Sequence, residues 1–184
     1  MATPDGTGPE RRSDAEELRS LSTAYASAAD DRDGERFAAL FLDSGELVVA
    51  VGPGEARPAS HHVGHEALRR VPDGLRRYER TFHQVSNHRF AIQGDRAKGE
   101  VLCVAHHVLT TTAEGAGEPG LDTVWFIRYL DRYVRTDGGW RFERRSLYLQ
   151  WVEEHPVSVL PTGAQTERLD PSPGLGSDSH HTRP

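Results

Sequence analysis

The fold of this chain is decided by its second half, which begins with the stretch Thr81-Phe82-His83-Gln84-Val85-Ser86-Asn87-His88. From His83 onward, apolar and β-branched runs are separated by turn sequences such as Gly94-Asp95 and Asp137-Gly138-Gly139. These runs predict successive antiparallel strands, because Gly and Asp tolerate the backbone conformations that hairpin turns require. After the strand that contains His83, the predicted strands cover residues 100–111, 124–134 and 140–152.

The first half of the chain predicts helices. Ser13 and Glu16 have the spacing of a capping box before a run of apolar residues at helical spacing, and Asp33 is placed to cap a second, shorter helix. The remaining predictions are a strand at 46–51 and a helix at 64–78 that is broken near Pro72 and Gly74. Helices followed by antiparallel strands indicate an α+β fold in which a curved sheet and the helices leave a pocket between them.

Length and composition predict one soluble domain with tails. Residues 13–155 carry the predicted elements of the 184-residue chain, whereas 1–12 and 156–184 are rich in Gly, Pro and charge and are expected to be disordered. A net charge of -6 without a basic block argues against nucleic acid as a partner. No apolar run approaches the ~20 residues of a membrane span. Residues 1–12 lack the apolar core of a signal peptide, so we expect a cytoplasmic location.

The cysteine and histidine content argues against a metal site or a thiol nucleophile. Cys103 is the single cysteine, which excludes an internal disulfide framework, and it lies in mid-strand without an evident activator. His61, His62 and His65 lie close together, but in a segment that is predicted as polar loop and helix start, and without a spacing such as His-Glu-x-x-His. We therefore predict no metal.

His83 is the first candidate for chemistry. A histidine that a carboxylate orients can transfer protons near neutral pH, because the carboxylate fixes the ring tautomer and stabilises the imidazolium. The acidic cluster Asp30-Asp31-Arg32-Asp33 lies where the first helix is expected to end. Asp31 and Asp33 are alternatives to Asp30 as the partner of His83. Either of them is also placed to cap the next helix instead.

The order of these motifs resembles the SnoaL-like and scytalone dehydratase-like branch of the nuclear transport factor 2-like superfamily. The resemblance covers about residues 13–152. It rests on Tyr25-Ala26, Asp30, Asp33, Gly64-His65-Glu66-Ala67-Leu68, His83, Val85, Asn87, Gly94-Asp95-Arg96-Ala97, Glu100, Ala105-His106-His107, Arg128-Tyr129-Leu130-Asp131, Asp137-Gly138-Gly139-Trp140-Arg141 and Arg145. The resemblance implies a cone-shaped α+β barrel: a strongly curved, mostly antiparallel sheet with N-terminal helices that enclose a small-molecule pocket.

The resemblance also implies roles for particular residues, in a reaction that needs no cofactor. A histidine matching His83, paired with an aspartate matching Asp30, removes a proton next to a leaving group. A tyrosine matching Tyr25 and a second histidine on the neighbouring strand hold a water or a carbonyl oxygen. The interval from Tyr25 favours Asp30 over Asp31 as the partner of His83.

The second histidine is one of two neighbours. His106 and His107 point to opposite faces of one strand, so at most one faces the cavity, and the resemblance favours His107. An arginine such as Arg128 would orient a substrate carboxylate if it faced inward. The candidates for contacts with the substrate are Trp125, Phe126, Tyr129, Arg128 and His106, of which strand alternation places only some inside.

The predicted function is that of a cofactor-independent lyase of the dehydratase type, which acts on a hydrophobic, oxygenated small molecule of secondary metabolism. A polyketide- or terpenoid-type cyclase, an isomerase or an epoxide-opening enzyme is the alternative in the same pocket. A ligand-binding or assembly module without turnover is the alternative of another class. Such a module would have the pocket but would lack a hydrogen bond between His83 and Asp30.

A homodimer is also expected. Large apolar residues occupy both the odd and the even positions of 124–130, so one apolar row must lie on the face of the sheet that the helices do not cover. Soluble monomers seldom expose an apolar patch of several hundred Å². A two-fold partner that covers this row with the same row of its own would remove the exposure.

Overall fold

Helices occupy the start of the chain and strands most of the rest. The computed structural model describes residues 12–51, 58–110 and 120–158. Its elements are α1 (Asp14–Asp30), α2 (Gly34–Ala39), β1 (Phe41–Val51), β2 (Ser60–Val63), α3 (Gly64–Arg69), a 3-10 helix (Val71–Arg77), β3 (Arg80–Gln93), β4 (Arg96–Leu109), β5 (Gly120–Thr136) and β6 (Gly139–Val157). Most of the two predicted tails, 1–11 and 159–184, lies outside the described residues.

The six strands form one sheet in the order β2-β1-β6-β5-β4-β3. β1 and β6 run parallel and every other neighbouring pair is antiparallel. Irregularities in three of these pairs, such as the one between Ser86 and Arg89 on β3, increase the local twist. The predicted α+β fold with a strongly curved, mostly antiparallel sheet is confirmed, and the sheet stays open, with β2 and β3 at its edges.

The helix signals in the sequence are confirmed in detail. Ser13 caps α1 through both arms of a capping box with Glu16, and the carboxylate of Asp33 accepts from the backbone N–H of Arg36 at the start of α2. The predicted break at Pro72 separates α3 from the 3-10 helix. None of the helices in the described part of the chain is long and apolar enough to cross a membrane.

The end of α1 is fixed by an unusual residue. Arg32 adopts a left-handed backbone conformation (φ 56°), which usually favours glycine and costs another residue about 1–2 kcal/mol. Its guanidinium donates to the carbonyl oxygens of Asp30 (2.7 Å) and Tyr78 (3.1 Å), which offsets part of that cost. As a result α1 ends at Asp30. Arg32 links this end of α1 to Tyr78, which follows the 3-10 helix, and Asp30 contacts His83 near the start of β3.

The segment around His61 and His62 corrects one prediction. Instead of a polar loop it forms β2, which pairs with β1 so that His62 lies opposite Leu47 and Ser60 opposite Val49. Four residues are too few to show a clear two-residue period in sequence, and the pairing partner rather than the local pattern produces this strand.

Candidate active site

A cavity of about 360 Å³ lies between the concave face of the sheet, helices α1 and α2 and the 3-10 helix. Its size is at the small end of the ~300–1,000 Å³ that is usual for ligand sites. Most of its lining is apolar or aromatic, and the polar side chains are few. The polar side chains in the lining are Ser60, His62, Arg70, Arg77, His83 and His107, together with the hydroxyl groups of Tyr25 and Tyr129.

His83 and Asp30 form a hydrogen-bonded pair at the edge of this cavity. The Nδ1 atom of His83 lies 2.7 Å from Oδ1 of Asp30, and the backbone N–H of His83 donates to Oδ2 at 2.9 Å. Because an ionised carboxylate only accepts, Nδ1 carries a proton, and in the neutral ring the lone pair is therefore on Nε2. The side chain of His83 is 9% exposed. The imidazole is therefore held in one orientation and one tautomer.

Asp30 stays ionised at neutral pH although it is partly buried. Burial by itself would raise the pKa of this carboxyl, but the hydrogen bonds and the charge of His83 outweigh burial and hold the pKa below its ordinary value. Asp31, the rival from the sequence, instead forms an ion pair with Arg36 at 3.0 Å. Asp33, the other rival, caps α2.

His107 lies beside His83 on the cavity wall. The two imidazole rings meet edge to face with 5.6 Å between their centroids, and Trp125 packs on the other side of His107 at 4.7 Å. Nδ1 of His107 lies 3.1 Å from the carbonyl oxygen of Thr123, so it donates, and Nε2 is an acceptor. Burial, followed by the charge of His83, lowers the pKa of His107 to about 4. At neutral pH the ring is therefore uncharged.

Tyr25 and Tyr129 lie on the floor of the cavity. Their rings meet edge to face at 5.7 Å, and the guanidinium of Arg145 lies about 4 Å from both ring centres. Burial raises the pKa of Tyr25 to about 12, against the opposing effect of the Arg145 charge. Tyr25 therefore keeps its proton and is available as a hydrogen-bond donor.

Arg145 itself lies below the floor. It is fully buried, and two of its nitrogens donate to the carboxylate of Asp131 at 2.9 and 2.8 Å. Burial would lower the pKa of Arg145, but Asp131 outweighs it and the pKa is raised. The hydroxyl of Tyr133 donates to the same carboxylate at 2.7 Å. This buried ion pair supports the tyrosine rings from beneath.

Three of the predicted substrate contacts lie on the other face of the sheet. His106 bonds to Asp122 at 2.6 Å, Phe126 stacks on Trp151, and Arg128 forms an ion pair with Glu100. Strand alternation explains this placement, because each is an even-numbered neighbour of a residue that faces the cavity or the core. Of the five predicted contacts, Trp125 and Tyr129 are the ones that line the cavity.

Ser60, His62 and Phe37 line the cavity but were not among the predicted site residues. Phe37 lies on α2, and its ring packs 4.7 Å from that of Tyr25. No local signal in the sequence identified His62, because β2 is too short to show alternation. Once β2 has formed, alternation separates His62 from His61 on the other face. The histidine cluster is also divided: His61 bonds to Glu46, and His65 to the carbonyl oxygen of Phe41.

No three His, Cys, Asp or Glu side chains within 12–51, 58–110 and 120–158 converge on a position suited to a metal ion. The polar groups that line the cavity near Asp30 are the imidazoles of His83 and His107 and the phenol of Tyr25. Such a set can remove a proton from a substrate carbon, accept a hydrogen bond from a hydroxyl, and donate one to an oxygen that gains negative charge.

Solved structures with the same fold support the architecture. The hexachlorocyclohexane dehydrochlorinase LinA (type 2) superposes with a TM-score of 0.64 at 19% identity, over 81% of this chain and 94% of that one. A candidate scytalone dehydratase from Novosphingobium aromaticivorans gives 0.61 at 22% identity, over 82% and 94%. A Mycobacterium tuberculosis protein of unknown function gives 0.57 at 25% identity, over 72% and 69%. At these identities the likeness concerns the fold.

Sequence comparison gives the family. No curated protein sequence matches the chain. The sequence pattern of the SnoaL-like domain matches residues 10–146, which is most of the chain and includes Tyr25, Asp30, His83 and His107. The chain therefore belongs to the SnoaL-like domain family.

Proposed function

We propose that this protein is a cofactor-independent lyase of the dehydratase type, in which His83 removes a proton from a small, hydrophobic, oxygenated substrate. The observation that carries this proposal is the 2.7 Å contact between His83 and Asp30 at the edge of an aromatic-walled cavity. A binding module without turnover has no need of an imidazole held in a single tautomer by a partly buried carboxylate. This hydrogen bond and its position at the cavity together therefore favour an enzyme over the assembly or binding alternative.

The proposed step is an elimination. Nε2 of His83 takes a proton from a carbon next to an electron-withdrawing carbonyl, and the electron pair of that C–H bond moves to form a C=C bond. The bond from the adjacent carbon to a hydroxyl breaks, and the leaving oxygen takes up a proton, so that water is released. Asp30 stabilises the imidazolium that exists between the two proton transfers.

Tyr25 and His107 have complementary roles in this proposal. Tyr25, with its pKa raised to about 12, donates to the substrate oxygen on which negative charge develops. His107 is neutral and presents an acceptor, so it holds the hydroxyl of the substrate by accepting its hydrogen bond. The proton for the leaving group then comes from the imidazolium of His83 rather than from His107.

Two of the structural neighbours are named for eliminations, one a dehydrochlorination and one a dehydration. Their names support the same class of reaction here. Cyclisation and isomerisation would begin with the same proton abstraction, so they are the alternative outcomes in the same cavity. For the location, the cytoplasm remains the prediction from the sequence.

A mass-spectrometric screen tests the proposal. The wild-type protein is incubated with a panel of cyclic β-hydroxy ketones in deuterated water, and the products are examined for loss of water and for exchange at the carbon next to the carbonyl. His83→Gln should abolish both, while His106→Gln, outside the cavity, should leave both unchanged. Exchange or elimination that persists in His83→Gln would place the base elsewhere, and an isomer without loss of water would favour the alternative.

We also propose that the protein is a homodimer. Phe126 and Trp151 stack with 4.3 Å between ring centres on the outer face of the sheet, and Phe82, Trp151 and Leu130 are 61%, 53% and 42% exposed. An exposed aromatic cluster of this kind suits a two-fold contact in which the same surface meets itself.

A further inference from the structure

A second polar region of the cavity lies on β2, which is at the opposite edge of the sheet from β3, the strand of His83. Ser60 and His62 line the cavity from β2, and Nε2 of His62 lies 3.1 Å from the hydroxyl oxygen of Ser60. Their pairing partners on β1, Val49 and Leu47, line the cavity as well. This wall is therefore apolar apart from one serine and one histidine.

The polarity of this pair is not explained by the packing of β2. A half-buried polar group in an apolar wall is unfavourable unless it is hydrogen-bonded. Burial, and then the charge of the adjacent His61, lower the pKa of His62 below 6.5, so the ring is neutral at pH 7 and has one donor and one acceptor. One of its nitrogens faces Ser60. Among the described residues the other nitrogen of His62 has no hydrogen-bond partner, so this nitrogen and the remaining capacity of the Ser60 hydroxyl are available to a ligand.

The pair is separate from the His83–Asp30 centre. β2 and β3 are the two ends of the strand order, and apolar side chains of the middle strands, Ile127 and Leu147, lie in the lining between them. The charge of His83 is among the causes that lower the pKa of His107, whereas burial and His61 are the causes for His62. The cavity is thus polar at two separate positions and apolar between them.

Two arginines line the cavity, and they differ in their partners. The charge of Arg70 is compensated by an ion pair with Glu66, whereas Arg77 donates to the neutral hydroxyl of Tyr78 at 2.7 Å and its charge acts on His107 rather than on His62. The compensated charge of Arg70 favours a neutral oxygen over a carboxylate as the group that a ligand brings to the end of the cavity at Ser60 and His62.

We propose that Ser60 and His62 form a second polar subsite, which holds a neutral hydroxyl or carbonyl group at the end of the substrate remote from the reacting carbon. The inference rests on the proposed function, since it takes the cavity to be the substrate site. It assigns the substrate to a class: a small ring system that carries an oxygen at each end. The apolar middle of the cavity then contacts the rings, and each end forms hydrogen bonds.

A pair of aromatic probes tests the subsite. Binding of a naphthol with one hydroxyl and of a naphthalenediol with hydroxyls at opposite ends is measured by calorimetry. The diol should bind the wild-type protein about 5–10-fold more tightly, as expected for one additional hydrogen bond in a partly buried site. His62→Leu and Ser60→Ala should remove this advantage while the naphthol affinity stays within about two-fold.

His61→Leu is the matched control, because His61 lies on the other face of the same strand and bonds to Glu46. It should keep the full advantage of the diol. His62→Gln, which retains a donor and an acceptor, should keep part of it, and thermal melting shows whether each variant is folded. Equal affinities of the two probes for the wild type, or an advantage that survives in folded His62→Leu, would overturn the subsite.

The probe affinities and the turnover of His83→Gln together distinguish a failure of this inference from a failure of the proposed function. If the diol has no advantage but His83→Gln still abolishes elimination, the subsite is wrong and the lyase stands. If both probes bind as expected and His83→Gln has no effect on turnover, the subsite stands and the base is wrong. Failure of both probes to bind the wild-type cavity overturns the subsite directly.

Discussion

Two histidine–aspartate pairs lie on opposite faces of the same sheet. Inside, Nδ1 of His83 is 2.7 Å from Asp30, and outside, Nδ1 of His106 is 2.6 Å from Asp122. Each carboxylate also accepts a backbone N–H, from His83 itself at 2.9 Å and from His107 at 3.1 Å. Judged by hydrogen bonds alone, the two pairs are equivalent.

Their surroundings differ. The side chain of His83 is 9% exposed and lines a cavity with a second imidazole and a phenol, whereas that of His106 is 38% exposed and lies beside Phe82 on the outer face. A proton acceptor accelerates a reaction when a substrate is held against it and water is kept away. The comparison teaches that the cavity, more than the histidine–aspartate bond, distinguishes a site from a surface contact.

The largest difference in kcat between variants of the two pairs is expected when the imidazole of each pair is removed. His83→Gln should lower kcat by about 10²-fold or more, the contribution that is usual for a positioned general base. His106→Gln should leave kcat within about two-fold, because the proposed reaction does not use the outer face. Steady-state kinetics on a substrate found in the screen measures both, and similar losses in the two variants would contradict the assignment.

A fall in pH should lower the free energy of unfolding in part through His107, the buried histidine of the cavity. The pKa of His107 is lowered to about 4 from 6.5, so between these values the unfolded chain binds a proton that the folded protein does not. Its contribution to the free energy of unfolding therefore decreases as the pH falls from 6.5 to 4, by at most about 3 kcal/mol. Asp30 does not contribute in this interval, since its pKa is lowered below 3.8 and it stays ionised.

Urea unfolding at pH 7 and at pH 4 measures this effect. The loss of stability between the two should be smaller in His107→Gln, which does not titrate, than in the wild type. His106→Gln serves as the control from the outer face. An identical acid dependence in the wild type and in His107→Gln would show that His107 is protonated in the folded protein at pH 5.

Replacement of each aspartate by asparagine should affect kcat differently for Asp30 and Asp122. In Asp30→Asn the side-chain NH₂ group favours the wrong tautomer of His83, and kcat should fall by about 10-fold or more while the fold is retained. Asp122→Asn changes the outer pair in the same way and should not alter kcat. If both substitutions are silent, orientation by the carboxylate is not needed for turnover.

The smallest effect on turnover is expected for the outer aromatic cluster. Trp151→Glu places a charge in the proposed dimer contact, so light scattering at micromolar concentration should change from about twice the chain mass of 20.4 kDa to the mass of one chain. The activity per chain should remain within about two-fold of the wild type, because the cavity lies on the other face. A wild-type protein that is already monomeric would contradict the dimer.

The sequence predicted most of the fold because its signals are local. The capping box at Ser13, the cap at Asp33 and the hairpin turn at Asp137 each act within a few residues, and all three lie where expected. The strands are longer than predicted: β4 begins at Arg96 and β6 continues to Val157. Polar and charged residues extend them, because pairing with a neighbouring strand satisfies the backbone regardless of the side chain.

The site was predictable only in part, because it combines distant segments. The resemblance to a family, rather than periodicity, indicated Tyr25, Asp30 and His107, and the structure brings them to the cavity or to its edge. Alternation along β5 could not by itself decide which of Trp125 and Phe126 faces inward. That choice depends on which face the helices cover, a long-range property. His62 was missed for the same reason, since β2 exists only through its pairing with β1.

The contact between Asp30 and the backbone of His83 has a consequence for solubility. Among the described strands β3 is at one end of the sheet, and an exposed edge strand can recruit strands from other molecules and start aggregation. At His83 the edge N–H is occupied by Asp30, and at Asn87 a left-handed residue (φ 49°) lies in the irregularity that twists the strand away from a flat partner. Asp30, the proposed partner of the base, thereby also occupies a backbone donor with which a strand of another molecule would have to pair.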